Sequence, residues 1–311
     1  MTPTFSIVME SENLETAGPQ QLLEALESLA RQTLSPEHAR KVVLVNSGRI
    51  EQSVVDAIHN RFPWVAIHAS AEPLDYYAAK ALGAELSSGE VVLWYDSDLQ
   101  YDTRWLESML DLFGSDPSVD VVAGETSLSI SGPYTLAVLL AWAFPPWSQR
   151  AQPYSTTGYA ANNVAFRRRL LDAVPIPLAT GLSRGNCTLH SHRLVRAGAK
   201  MLRSPRARAL HAMLPFRQFY PRLWGAGFND AGALILDQRS QGRSDWGARA
   251  YALRYVSVRR CLRVVTRSVT VVRSYPRWWP YLPLALPLAI SGLAASLFGA
   301  VAASVSWRAR N

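Results

Sequence analysis

Two aspartates one residue apart, Asp96 and Asp98, carry the most legible chemistry in this 311-residue chain. Residues two apart on an extended chain point the same way, so Asp96-Ser97-Asp98 offers two carboxylates to one ligand. Hard divalent cations take oxygen donors and are often shared with substrate phosphates. The pair therefore predicts a Mg²⁺ or Mn²⁺ site, and a cation there would stabilise charge on a departing diphosphate. A lone Asp-x-Asp is commonly a solvated turn. This one follows an apolar run, Val91–Tyr95, and the sequence has no Gly-rich loop of the dinucleotide or Walker type to hold phosphate another way.

The surrounding elements must position that pair. Apolar runs at Phe5–Met9, Lys41–Val45, Val65–His68, Val91–Tyr95 and Val119–Ala123 predict five strands. Between them Gln20–Gln32, Ser53–Arg61, Tyr76–Leu86 and Thr103–Phe113 carry apolar residues at helical spacing. Such alternation predicts an open α/β sheet, whose ligands bind at the carboxyl ends of the strands. Glu10, Asn46-Ser47-Gly48, Asp96-Ser97-Asp98 and Glu125 all fall at those ends.

The net charge of +8 is uneven. Asp245 is the last acidic residue, and arginines follow from Arg249 to Arg310. Trp278–Trp307 has no charged residue and is long enough to cross a bilayer, with tryptophans at both ends. Residues 246–276 alternate arginines with Leu, Val and Tyr, as on a helix lying on a membrane or packed on a domain. A second apolar stretch, Tyr134–Trp147, is too short to span; it suits a core segment or one that dips into the interface. The positive-inside rule puts the N-terminal region in the cytoplasm, at the inner membrane. The first apolar run is too short for a signal peptide. Cys187 and Cys261 make neither a disulfide framework nor a zinc site. Nucleic acid is not an expected partner, because the basic residues sit beside a lipid-seeking segment.

Over about residues 4–215 the sequence resembles the family 2 GT-A glycosyltransferases. The resemblance rests on Leu22–Gln32, on the stretch from Tyr76 to Asp98, on Gly158–Leu171 (GYAANNVAFRRRLL), and on Arg193–Gly198 with Pro205 and His211 beyond it. It implies a mixed sheet flanked by helices, a nucleotide-diphospho-sugar donor, and inversion at the anomeric carbon. The apolar, membrane-associated tail suggests a lipid-linked or cell-envelope acceptor. Expected boundaries are 1–215 for the catalytic domain, 216–276 for interfacial helices and 277–311 for a membrane-embedded tail.

Residue by residue, the resemblance implies that Glu10 and Asn46 bind the base and that Lys80 approaches the nucleotide. Asp96 would face ribose or metal, Asp98 would ligate the metal, and His211 would contact diphosphate or metal. Asn163 and Gly158 fall in the acceptor-side segment. The sequence departs from the family pattern at Asn46, where an aspartate is usual, and at Ala81, which replaces an asparagine. At Gly185-Asn186-Cys187 the general-base aspartate is replaced by Cys187, and an ordinary thiol is mostly protonated at pH 7. Replacement bases are His190, Glu125, His192 and Asp172; an acidic acceptor would need none. The competing reading is a degenerate domain that binds a nucleotide sugar or a partner without turnover. A nucleotidyltransferase is disfavoured by the missing Gly-rich loop.

Overall fold

The computed structural model describes residues 2–14, 18–178 and 180–307. In chain order the elements are β1 (Phe5–Glu10), α1 (Pro19–Ala30), β2 (Lys41–Asn46), α2 (Gln52–Arg61), β3 (Val65–Ala69), α3 (Tyr76–Glu85), β4 (Val91–Tyr95) and β5 (Leu99–Tyr101). Then come α4 (Trp105–Ser115), β6 (Val121–Leu128), α5 (Pro133–Ala141), β7 (Tyr154–Ser155), β8 (Asn163–Arg167), α6 (Arg168–Ala173) and α7 (Asn186–Arg196). The chain continues through β9 (Met201–His211), α8 (Phe219–Ser240), α9 (Asp245–Ser274) and α10 (Leu282–Ser306).

Strands β1, β2 and β4 are near-continuous runs of Val, Ile and Leu, the composition of parallel strands covered on both faces. They pair in parallel, with β3 outside β2. Beyond β4 the sheet turns antiparallel through β8 and β6, and the strand order is β3-β2-β1-β4-β8-β6-β9-β5. The sheet is therefore mixed. Leu22, Leu26 and Leu29 of α1 and Trp105, Met109 and Phe113 of α4 cover one face with the strands' own side chains.

The described residues pack as two units. The first holds 2–14, 18–126, 150–178 and 190–212; the second holds 127–149, 180–189 and 213–307. The division differs from the expected boundary at 215. Helix α5 is apolar all round and buries Leu136, Leu139 and Leu140 in one cluster with Phe219, Leu223, Ala285 and Ala289. The stretch Tyr134–Trp147 thus contributes to the core of the second unit. There α9 turns Ala248, Ala252, Val256, Val264 and Val271 inward. Helix α10 belongs to an apolar segment, 276–306, long enough to cross a membrane, with a mean hydropathy of 2.0 over its best window.

Candidate functional site

At the carboxyl edge of the first unit, Glu10 closes β1, Asn46 closes β2 and Asp96 follows β4. Strand β8 lies between β4 and β6, with Asn163 opposite Tyr95 and Val164 opposite Ala123. That register sets Asp96 and Glu125 on the two sides of Asn162. The alternation of parallel strands and crossover helices thus brings four side chains from distant sequence to one edge.

Asp96 is the most heavily held of them and is 3% exposed. The Lys80 ammonium lies 2.6 Å from its Oδ1. The Tyr76 hydroxyl donates to the same carboxylate at 2.9 and 3.0 Å. Tyr76 and Lys80 are four apart on α3, so they share a helix face. Asp75 starts that helix by accepting from the Tyr77 and Ala78 amides. Lys80 is fully buried and also donates to the Tyr95 carbonyl at 3.1 Å. This corrects the expectation that Lys80 approaches the nucleotide: its charge is spent holding Asp96 and the end of β4. The Asp96 amide donates to the Tyr101 hydroxyl at 2.9 Å, and that hydroxyl donates to the Asn162 carbonyl at 2.5 Å. Burial, with the Asp96 charge beside it, keeps the Tyr101 phenol neutral far above its ordinary range.

Asn13 went unnoticed in the sequence. Its amide nitrogen donates to Glu10 Oε1 at 3.0 Å and Asp96 Oδ2 at 2.9 Å, and reaches Asp98 Oδ1 at 3.5 Å. Glu10 in turn accepts the Glu12 and Asn13 backbone amides, which fixes the turn after β1. The one available signal was the polar run Ser11-Glu12-Asn13 directly after a buried strand.

Asp98 and His211 complete the cluster, Asp98 Oδ2 lying 3.3 Å from His211 Nε2. They meet because Leu99 pairs with His211 where β5 joins β9, and the Ala212 amide donates to the Asp98 carbonyl. His211 Nδ1 lies 2.7 Å from the Ala212 carbonyl, which can only accept, so Nδ1 carries a proton. Protonated, Nε2 donates to the Asp98 carboxylate; in the neutral ring it turns a lone pair toward the same side, where a cation could be held by both groups. Burial alone lowers the pKa of this imidazole, but the Asp98 carboxylate and the Ala212 carbonyl outweigh it and raise it above the ordinary value. A histidine whose second nitrogen is anchored on a carbonyl is also the usual metal-ligand arrangement. Glu10, Asp96 and Asp98 are all under 9% exposed, and the Lys80 ammonium faces Asp96. The donor set therefore fits Mg²⁺ or Mn²⁺ held by Asp98 and His211, with the remaining positions left to phosphate and water. Among the described residues no group of three His, Cys, Asp or Glu side chains gathers as a metal site.

The model of glycosyl transferase family 2 matches residues 7–174. The chain belongs to that family. Among solved structures the chain is similar to a mannosyltransferase from Pyrobaculum calidifontis in complex with GDP-Man and Mn²⁺, at 15% identity and a TM-score of 0.64. That likeness covers 97% of this chain and 87% of the other. It is also similar to GalNAc-T7 with UDP, GalNAc and Mn²⁺, at 14% identity and a TM-score of 0.55, over 75% of this chain and 51% of that one. These likenesses show the GT-A fold. Among curated proteins it is similar to a glucosyl-dolichyl phosphate glucuronosyltransferase of Haloferax volcanii, 28% identical over 101 residues, 32% of each chain. It is 26% identical over 103 residues to an N-acetylgalactosaminyltransferase 4 of Drosophila melanogaster, 32% of this chain and 16% of that protein. The alignment thus spans about a third of the first relative's length and a sixth of the second's.

Other residues expected from the family pattern have different surroundings. Asn46 Oδ1 accepts the backbone amides of Gly48, Arg49 and Ile50, so its carbonyl shapes the loop after β2. Asn163 is 1% exposed; its amide accepts from Trp105 Nε1 at 2.7 Å and donates to the Glu125 and Ala207 carbonyls. Gly124 makes room for it, since a Cβ there would fall 2.1 Å from Asn163 Oδ1. This corrects the acceptor-side role expected of Asn163: it cross-links the sheet. Gly158 offers its carbonyl to Arg203 at 2.8 Å.

His190 is corrected as a base. It is fully buried, with Nε2 2.6 Å from the Val174 carbonyl and Nδ1 2.5 Å from the Tyr159 hydroxyl. Val174 only accepts, so Nε2 bears the proton and Tyr159 donates to Nδ1. Burial pushes this imidazole down to about 4. Asp172 is exposed on α6, and His192 is half-buried on α7. Glu125 sits at the carboxyl edge, 7% exposed, and accepts from the Tyr154 hydroxyl at 3.3 Å. Cys187 is half-buried in the second unit, beside Asn186, which is 2% exposed.

Proposed function

We propose that this protein transfers a sugar from a nucleotide-diphosphate donor to a lipid-linked or envelope acceptor at a membrane, with Mg²⁺ or Mn²⁺ as cofactor. The observation that carries the reading is the Asp98–His211 pair beside Glu10, Asn13 and Asp96 at the carboxyl edge of the sheet. The solved structures similar to this chain hold GDP-Man with Mn²⁺, or UDP and GalNAc with Mn²⁺. The cation would neutralise charge on the departing diphosphate. Asp98 and His211 would hold it, Lys80 and Tyr76 fix Asp96, and Asn13 fixes Glu10 beside the strand end where the base would bind.

The Haloferax relative's name carries a dolichyl-phosphate-linked sugar, which supports a lipid-linked acceptor here. For a hydroxyl acceptor, Glu125 is the carboxylate at this edge suited to take the proton while the acceptor oxygen attacks the anomeric carbon. A phosphate acceptor needs no base. The arginine-rich tail favours the anionic cytoplasmic leaflet of the inner membrane, so the catalytic unit meets its donor in the cytoplasm.

The test is a panel of nucleotide-diphospho-sugars given to the purified full-length protein, read by donor hydrolysis and binding, with Asp98→Asn as control. Metal-dependent hydrolysis that disappears in Asp98→Asn supports the reading and names the donor. Metal-dependent binding without turnover, even with lipid acceptors present, moves the assignment to a nucleotide-sugar-binding protein. The loss of the family's base aspartate at Cys187 favours that second reading.

A further inference from the structure

The second unit carries an apolar surface that the transfer chemistry does not use. Along α9 the side chains of Tyr255, Val258, Leu262, Val265, Val269 and Val272 are all more than 40% exposed. Their alternating spacing of three and four keeps them on one helix face, about 25 Å long at 1.5 Å per residue. That face lies opposite the one α9 buries through Ala252, Val256, Val264 and Val271. Exposed arginines border the stripe, Arg254 on one side and Arg259 and Arg273 on the other. No acidic residue follows Asp245. Trp246, at the start of α9, and Trp279, in the turn beyond its end, are 80% and 50% exposed.

Helix α10 cannot be considered apart from its neighbours. The Arg249 guanidinium donates to the Ser304 and Trp307 carbonyls at 2.8 and 2.7 Å. Ala248 and Ala252 share a cluster with Ala300 and Ala303, whereas Val271 shares one with Ala285 and Ala289. The start of α9 thus meets the end of α10 and the reverse, so the two run antiparallel side by side. Helix α8 is equally close: a Cβ at Gly227 would fall 1.8 Å from the Ser296 carbonyl, and one at Gly299 would fall 2.0 Å from that of Trp224. If α10 crossed a bilayer, α8 and α9 would enter with it. The Asp230–Arg260 pair lies one turn along α8 from the Gly227–Ser296 contact at mid-height of α10, and the exposed Arg259 adjoins it. An exposed guanidinium at that depth would have to face hydrocarbon, where ionised side chains are costly.

We infer that α8, α9 and α10 together form a monotopic membrane anchor: the bundle lies on one leaflet with the α9 stripe inserted and its arginines on anionic headgroups, and α10 does not cross. Apolar side chains on one face with bordering arginines are what binds a helix in the interface plane. Arg254, Arg259 and Arg273 favour lipid over a second copy of this chain, because paired stripes would bring arginine against arginine. The inference does not depend on which sugar is transferred, or on whether one is.

Two measurements on the full-length chain test it. The first uses epitope tags at each terminus and protease added to sealed membrane vesicles. Cleavage of both tags from the same side is expected; a C-terminal tag protected where the N-terminal tag is cut overturns the inference. The second measures co-flotation of purified protein with phosphatidylcholine vesicles, with and without phosphatidylglycerol. Binding is expected to need the anionic lipid, to weaken with salt, and to fall at least tenfold in the Arg254→Glu, Arg259→Glu, Arg273→Glu triple variant. Circular dichroism on that variant checks that it is folded; if it is not, Val258→Ser, Leu262→Ser takes its place, with the same loss expected. Equal binding to neutral and anionic vesicles, or a monodisperse oligomer that binds neither, overturns the inference.

Discussion

The strand-end cluster and the α9 stripe solve opposite problems. At the strand ends charge is taken out of water: Glu10, Asp96 and Asp98 are nearly buried, and Lys80, Tyr76, Asn13 and His211 are arranged around them. Along α9 apolar side chains are left in water with arginines at their borders. The first arrangement is stable only if each charge has a partner, so its residues cannot change singly without cost. The second needs no unique partner, only a surface of suitable polarity. Substitutions in the cluster should therefore separate into those that break the fold and those that break chemistry, whereas substitutions on the stripe should do neither.

Within the cluster the sharpest contrast is between Asp98 and Lys80. Asp98→Asn should lower metal-dependent donor turnover by about a thousandfold or more, since it removes a cation ligand. Its melting temperature should stay close to that of the parent, because an asparagine keeps the shape and one acceptor. Lys80→Met should cost about 3–5 kcal/mol in denaturant unfolding, as it strands a buried Asp96. Equal loss of stability in both variants would erase the distinction between a metal ligand and a scaffold pair.

His190 supplies a pH test remote from any metal ligand. Its folded pKa is pushed down to about 4 from 6.5 by burial, so the unfolded chain binds more protons between those values. Stability should then be intact above pH 6.5 and fall as the pH drops toward 4, by up to about 3 kcal/mol. In His190→Gln that part of the slope should vanish. Asn163→Ala should cost about 1–3 kcal/mol by stranding the Trp105 indole N–H and the facing carbonyls. Smallest of these in stability is Asn13→Ala. It should cost about 1 kcal/mol in unfolding, by taking a buried donor from Glu10 and Asp96, and lower metal-dependent donor affinity roughly 10- to 100-fold, the scale found when a group supporting metal ligands is lost.

The parallel half of the sheet was legible because its strands are unbroken apolar runs; Val91–Tyr95 was placed to the residue. The antiparallel half was not. Strand β9 reads MLRSPRARALH, with a proline and four basic residues, and is a strand because β5, β7 and the sheet interior supply its partners. Strand β8 begins at Asn163, directly after a turn at Asn162, and the pair of asparagines does not read as a strand start until Trp105 and the Glu125 and Ala207 carbonyls are brought to the Asn163 amide. The aspartate pair was legible as types at a spacing, and His211 only through the resemblance to the family. Lys80 could be named but its direction could not, because whether a lysine faces a ligand or a buried carboxylate depends on how α3 sits on the sheet. His190 shows the same limit: three residues beyond Cys187 it suggested proton transfer, but the fold turned it into the core beside Tyr159.

The most direct test of the central claim is electron paramagnetic resonance of Mn²⁺ added with a nucleoside diphosphate to protein labelled with ¹⁵N-histidine. The account predicts nitrogen hyperfine coupling to the bound Mn²⁺ that disappears in His211→Asn, and weakened Mn²⁺ binding in Asp98→Asn. Mn²⁺ bound with nitrogen coupling unchanged in His211→Asn, or with full affinity in Asp98→Asn, would contradict it.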